Sequence, residues 1–109
     1  MVEYFPTYNK KQIITSFEID HGRNSDVDAS AEQLTTSNIR CARGVVVKAA
    51  NANTGIIYVG NSDVTADSAD ATDGFELGAG ESITIEVDDV SKIYVIASTT
   101  NQSVYWITV

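Results

Sequence analysis

The segment FELGAGESITIEVDDVSKIYVIAS, residues 75–98, contains two runs in which apolar and polar residues alternate. In the first run Ile83, Ile85 and Val87 are separated by polar residues, and the turn-forming GAGE (78–81) precedes it. Asp88 and Asp89 separate this run from the second one, KIYVIAS (92–98). Alternation with a period of two is typical of strands that bury one face, so the segment predicts two strands joined by an acidic turn. It contains no nucleophile paired with a base and no phosphate loop, which indicates a protein that builds surfaces.

The same pattern extends to the rest of the chain. Further strands are predicted within KQIITSFEID (11–20), AEQLTTSNIRCA (31–42), GVVVKAAN (44–51), IIYVGN (56–61), FEL (75–77) and SVYWITV (103–109). Two loops are predicted, at HGRNSDVDAS (21–30) and SDVTADSADATDG (62–74), because both segments are polar and rich in turn formers. NTG (53–55) predicts a hairpin turn between its neighbours, with Gly55 at positive φ. In the last strand Val104, Trp106 and Ile107 are expected to anchor the end of the chain in the sheet.

Seven or eight short strands and no convincing helix predict an all-β fold, a single antiparallel β-sandwich or a barrel. A chain of 109 residues is expected to form one domain, here residues 11–109, with its own core. Residues 1–10 lack a periodic pattern and contain Tyr4, Phe5, Pro6 and Tyr8. They form either an extended arm or an edge strand folded back on the domain. We predict partner contact through these four residues, because aromatic side chains do not readily stay in water.

The net charge of −8 disfavours nucleic-acid and anionic-membrane partners, because both repel an acidic surface. No apolar run approaches the roughly 20 residues of a transmembrane helix, and the first residues lack the pattern of a secretory signal. We therefore expect folding in a cytoplasm. Cys41 is the only cysteine. It predicts a buried structural thiol, the alternative being a thiol activated by Arg40 and Arg43.

Four acids lie close together in the 62–74 loop, namely Asp63, Asp67, Asp70 and Asp73. Clustered carboxylates can supply several of the six to eight oxygens that calcium needs. The spacing of three between Asp67, Asp70 and Asp73 departs from the alternate acids of a calcium-binding hand, so we favour a solvated acidic loop. We expect no cofactor, no metal and no catalytic residues.

Several strands are apolar on both faces. Tyr94 and Ile96 share one face of their strand, Ile93 and Val95 share the other, and VVV (45–47) and IIYV (56–59) show the same property. A domain core accounts for one apolar face. The second face favours contact with another copy of the chain or with a larger assembly.

The C-terminal half of the chain contains a pattern of short motifs: YVGN…V, a loop, GF-x-L-x-x-GES and KIYVIAS. Its residues are Tyr58–Asn61, Val64, Gly74, Phe75, Leu77, Gly80–Ser82 and Lys92–Ser98. This pattern resembles small structural proteins of tailed bacteriophages over about the C-terminal half of the chain. The resemblance implies a jelly-roll β-sandwich located on the virion. It also implies a head decoration or cement protein that forms a homodimer or homotrimer and docks on the major capsid protein.

An alternative reading is a tail-fibre or baseplate module that binds a host glycan. Jelly-roll sandwiches often hold sugars on aromatic platforms beside acidic or amide side chains. Asn101 and Gln102 lie near Trp106 in the sequence and are the candidate residues, although Trp106 equally suits a core. The sequence leaves head and tail locations open.

Overall fold

The computed structural model describes residues 18–67 and 69–109. The predicted arm and most of the predicted strand at 11–20 lie outside the described residues. The described chain forms eight strands and one 3₁₀ turn (Val90–Lys92). The strands are β1 (His21–Val27), β2 (Glu32–Gln33), β3 (Val45–Ala49), β4 (Ile57–Gly60), β5 (Phe75–Leu77), β6 (Ser82–Ile85), β7 (Tyr94–Ala97) and β8 (Gln102–Thr108).

The strands form two antiparallel sheets of four. The first sheet has the order β1-β8-β3-β6 and the second has the order β2-β7-β4-β5. The pairs β1–β8, β2–β7, β3–β6 and β4–β5 are those of one long hairpin folded in its middle. The additional pairs β3–β8 and β4–β7 wrap this hairpin into two facing sheets. This arrangement is a jelly-roll sandwich, so the predicted fold class is confirmed.

The core lies between the inner faces of the two sheets, as the alternation of apolar residues predicted. The first sheet contributes Val45, Val47, Ala49, Val104 and Trp106, and the second contributes Ile57, Val59, Leu77, Val95 and Ala97. Most of these residues are β-branched and fit the pleated surface of a sheet. Cys41 is also buried here, and its Sγ lies 3.1 Å from the Val87 carbonyl oxygen. Burial, followed by the charges of Asp88 and Asp89, raises the pKa of its thiol, so the structural interpretation is confirmed.

The predicted loop at 21–30 is wrong over its first seven residues, which form β1. Polar residues are tolerated there because β1 is an edge strand that pairs only with β8. The register shifts between Asn24 and Val27, and Asp26 has a φ of 61°. This irregularity bends the edge and limits pairing with another strand.

The predicted hairpin between β3 and β4 is also wrong, because these strands belong to different sheets. The connection that contains Gly55 crosses from the first sheet to the second. Gly55 does not take the predicted positive φ; Gly80 in the 78–81 turn does, at 83°. A Cβ on Gly55 would lie 2.6 Å from Thr99 Cγ2 and 2.8 Å from Ser98 Oγ. Glycine is therefore needed here for close packing.

Strand β8 ends the chain inside the first sheet. Val104 and Trp106 are buried, as predicted, but Ile107 is 41% exposed. Side chains alternate across the sheet, so Ile107 lies on the face opposite Trp106. The anchoring role predicted for Ile107 is taken instead by Thr108, which is buried and accepts a hydrogen bond from the Asp20 N–H.

Candidate protein-docking face

The outer face of the first sheet holds most of the exposed apolar surface of the described residues. Five large apolar side chains of the described residues are strongly exposed. They are Ile19 (71%), Phe75 (59%), Val109 (47%), Tyr105 (44%) and Ile107 (41%). Four of these five lie at the outer face of the first sheet, and only Phe75 belongs to the second sheet. Apolar side chains scattered singly need no explanation, but a contiguous group of this kind marks an interaction surface.

The strand registers place the side chains of this face in rows. One row contains Arg23, Tyr105, Lys48 and Ser82, and the next contains His21, Ile107, Val46 and Thr84. Ile19, Val109 and Glu86 lie two residues beyond His21, Ile107 and Thr84, at the same end of the sheet. The alternation of extended chains therefore assigns them to a third row of the outer face.

A shallow groove of about 350 Å³ runs along this face. Its lining includes Val46, Tyr105, Ile107 and the aliphatic stem of Lys48, with His21 at one side. His21, which the sequence placed in a loop, thus lies on β1 beside an apolar surface. The groove offers a hydrophobic contact area with polar groups at its rim, which is the usual anatomy of a protein–protein interface. The outer face of the first sheet, formed by these three rows of side chains, is called the docking face below.

The two ends of the face differ in charge. At one end Arg23 lies over the Tyr105 ring, 5.7 Å from its centroid, and Lys48 is in the same row. At the other end Glu86 is exposed, whereas the exposed Glu18 and Asp20 alternate with Ile19 and therefore project from the opposite side. Lys48 and Glu86 form no ion pair with each other or with any other described residue; the ion pair in this part of the chain joins Asp88 and Lys92.

The outer face of the second sheet is covered by the chain itself. Tyr58 and Ile96 point outward from β4 and β7 and form a small buried cluster with Val64. Ala66 and Tyr94 pack against this cluster. Part of the 61–74 loop therefore covers the second apolar face of these strands. The predicted contact with another copy is not needed to explain that face. Among residues 18–67 and 69–109, none packs over the outer face of the first sheet in the same way.

The structure brings together three of the four loop aspartates. Carboxylate oxygens of Asp67, Asp70 and Asp73 lie within 4.8 Å of one another, and Asp63 is not part of the group. These acids also bind the loop itself: Asp73 Oδ1 accepts hydrogen bonds from the Thr65 hydroxyl at 2.7 Å and the Asp67 N–H at 3.2 Å. They therefore organise the loop, which is more than the solvated role that the sequence indicated.

Hydrogen bonds set the pKa values of these acids. Thr72 lowers the pKa of Asp70, and Thr65 lowers the pKa of Asp73. The Ala69 N–H lowers the pKa of Asp67, but the Asp73 and Asp70 carboxylates outweigh it, so this pKa ends above its usual range. With one oxygen from each of these three carboxylates, the calcium alternative would require at least three further oxygen ligands.

The residues of the glycan alternative do not form a binding platform. Gln102 is buried and uses its amide within the fold, and Trp106 is 6% exposed and belongs to the core. Neither residue presents an open surface on which a sugar could stack. Asn101 is exposed in the turn before β8, with a φ of 62°, but the aromatic platform that it would accompany is buried. The predicted contact residues Tyr4, Phe5, Pro6 and Tyr8 lie outside the described residues. Their segment joins the described chain at Glu18, next to Ile19 of the docking face.

The docking face also has a signal in the sequence of β8. In SVYWITV, Val104 and Trp106 share one face, and Tyr105 and Ile107 share the other. β8 is therefore apolar on both faces, like β3, β4 and β7, and it lies between β1 and β3 in the first sheet.

No protein-family model, no curated protein and no solved structure matches this chain. Within the described residues, there is no helix with the length and apolar character to cross a membrane.

Proposed function

We propose that this chain is a structural protein of a tailed-bacteriophage virion, a capsid decoration or cement protein. In this role it binds copies of itself and the major capsid protein, and thereby stabilises the head. The observation that carries the proposal is the uncovered outer face of the first sheet, where four of the five strongly exposed apolar side chains lie. A protein that worked as an isolated monomer would gain nothing from such a face and would risk aggregation.

The sequence pattern that resembles phage structural proteins supports the proposal, because its residues form part of the β-sandwich. Its residues build β4, β5 and β7 of the second sheet and the turn before β6. They are framework residues, so the likeness concerns the scaffold. Jelly-roll sandwiches occur in viral capsid and lectin domains, and this association is an analogy of fold. The docking face then supplies the feature that favours a structural protein over a sugar-binding one.

The physical demands on a cement protein agree with the composition. Such a protein must be compact and soluble at high concentration, and a net charge of −8 favours solubility. It must also bind a shell over an interface of about 1,000 Å² or more. Many weak contacts on one particle add up by avidity. The protein can therefore bind particles strongly although each single contact is weak.

Mass spectrometry of purified particles tests the proposal. Particles of the phage whose genome encodes this chain should contain it at a fixed number of copies relative to the major capsid protein. Separated heads and tails should show it in the head fraction. Absence from particles would refute a virion role, and a copy number that matches a tail component would refute the head location.

Removal of residues 1–9 is expected to leave a folded domain and to weaken binding to the capsid or between copies. The reason is that Tyr4, Phe5 and Tyr8 would no longer be available to pack on a partner. Light scattering of mixtures with particles measures the change. A full-length variant in which these three aromatic residues are serine should show the same loss. Unchanged assembly in both proteins would refute the role of residues 1–9 in binding a partner.

A further inference from the structure

We propose that the outer face of the first sheet binds the same face of a second copy, with the strands of the two facing sheets antiparallel. This inference rests on the proposed function, since it names the partner of the same face. It assigns the docking face to self-association and leaves the capsid contact to other parts of the chain. The argument depends on how charged and apolar side chains are distributed along the rows.

The face has a basic end and an acidic end with apolar residues between them. Arg23 and Lys48 lie in the row at one end. The exposed Glu86 lies in the row at the other end, two residues beyond Thr84 of β6. Such a surface is self-complementary when the partner is turned so that opposite ends meet. It is self-repelling when like ends meet.

The symmetry of a two-fold dimer decides between these cases. If the axis lies in the interface across the strands, the basic row of each copy faces the acidic row of the other. Lys48 then lies near Glu86 of the second copy, and Arg23 lies opposite Ile19. If the axis instead runs along the strands, Arg23 and Lys48 face the corresponding basic row. Opposite charges therefore favour the antiparallel arrangement, and a two-fold interface uses the same surface on both copies.

The same axis also matches the apolar residues. The central row faces itself, so Ile107 and Val46 pack against Ile107 and Val46 of the second copy. In the outer rows Tyr105 faces Val109, which are 44% and 47% exposed in the single chain. Two facing sheets pack about 10 Å apart when their side chains interdigitate. Apolar contacts in the middle and ion pairs at both ends give the core and rim of an ordinary interface.

The size of the face sets the expected strength. Four strands spaced about 4.8 Å apart and three rows spaced about 6.8 Å apart cover roughly 20 Å by 20 Å. Two such faces bury about 800 Å², roughly half of the 1,600 Å² of a standard interface and within the size range of weak, transient contacts. We therefore expect a weak dimer with a dissociation constant in the upper micromolar range, which many copies on a particle would reinforce.

Sedimentation velocity over about 1–300 μM tests the pairing. The full chain should shift from monomer to dimer, and Ile107→Glu should remove the dimer, because it buries charge in the apolar centre. Phe75→Glu is the matched control, since Phe75 is also a large apolar side chain and is even more exposed, at 59%, but lies on the second sheet. It should leave the dimer unchanged. Circular dichroism shows whether each variant is folded.

A charge exchange tests the orientation. Lys48→Glu should weaken the dimer at least tenfold, because it places like charges opposite each other. The double variant Lys48→Glu with Glu86→Lys should recover most of the loss, since the pair is restored with its charges reversed. No recovery would refute the antiparallel arrangement. A wild-type chain that stays monomeric, or a dimer that survives Ile107→Glu, would refute the face itself, while the chain's presence in particles would still stand as a separate result.

Discussion

Replacement of Gly44 by alanine is expected to destabilise the domain by about 3 kcal/mol or more, at or above the upper end of ordinary overpacking. A Cβ at this position would lie 2.2 Å from the Ile85 carbonyl oxygen and 3.1 Å from the Glu86 Cα. Both are backbone atoms, and they lie at the last residue of β6 and the residue after it, where β6 pairs with β3. Neither strand can move away easily, because Gly44 also exchanges hydrogen bonds with Val109, the residue after β8.

Urea denaturation followed by circular dichroism measures this loss. Gly78→Ala is the control, because it makes the same chemical change in the 78–81 turn. There the nearest atom to a new Cβ is Glu81 Oε1 at 3.3 Å, the end of a flexible side chain. We expect less than about 1 kcal/mol for the control, as for most surface substitutions. Equal stability of the two variants would contradict the close contact between β3 and β6.

Gln102→Leu is expected to cost about 3 kcal/mol, because it leaves several buried polar groups without partners. The Gln102 side chain is 2% exposed. Its Oε1 accepts hydrogen bonds from the N–H groups of Thr54 at 2.9 Å and Gly55 at 2.8 Å. Its Nε2 donates to the Thr100 carbonyl at 2.7 Å and to the Thr54 hydroxyl at 3.2 Å. One amide therefore joins the β3–β4 crossover to the β7–β8 turn.

The matched control is Gln33→Leu. The Gln33 side chain is half-buried, and its Nε2 donates one hydrogen bond, to the Ser91 carbonyl at 2.9 Å. Loss of one such bond costs about 1 kcal/mol. Thermal unfolding of both variants should show a clearly larger drop in Tm for Gln102→Leu. A drop no larger than that of the control would mean that the buried amide does not hold the crossover.

The parts of the fold that follow from local alternation were predictable. β3, β4, β6, β7 and β8 all occur where apolar residues alternate or form a short run, because these residues fill one core. β1 was not predictable from its own residues, since HGRNSDV contains a single apolar side chain, Val27. Its strand state depends on pairing with β8, which lies about eighty residues away in sequence. Local patterns contain no information on such pairing.

The hairpin predicted between β3 and β4 was wrong for a related reason. NTG suits a tight hairpin, and local sequence cannot distinguish a hairpin from a crossover of similar length. The crossover is held by Gln102 of β8, whose side-chain oxygen accepts hydrogen bonds from the backbone N–H groups of Thr54 and Gly55. The residue type was visible in the sequence. Its partners were not, because they come from the packed fold.

The candidate site was predictable only in kind. Apolar residues on both faces of strands indicated a surface that binds protein, and the structure has one such uncovered surface among its described residues. The sequence could not tell which face it was, because the 61–74 loop covers Tyr58 and Ile96 of the second sheet. The docking face lies instead on β1, β8 and β3, where Tyr105 and Ile107 are exposed.

Binding to phage particles that lack this protein tests the central claim most directly. Wild-type, Ile107→Glu and Phe75→Glu proteins are mixed with such particles, and the amount that sediments with them is measured. We predict that Ile107→Glu reduces the bound amount at least tenfold, because copies that no longer pair lose the avidity of the paired state, and that Phe75→Glu binds like the wild type. Equal binding of all three proteins, or no binding by the wild type, would contradict a structural role for the outer face of the first sheet.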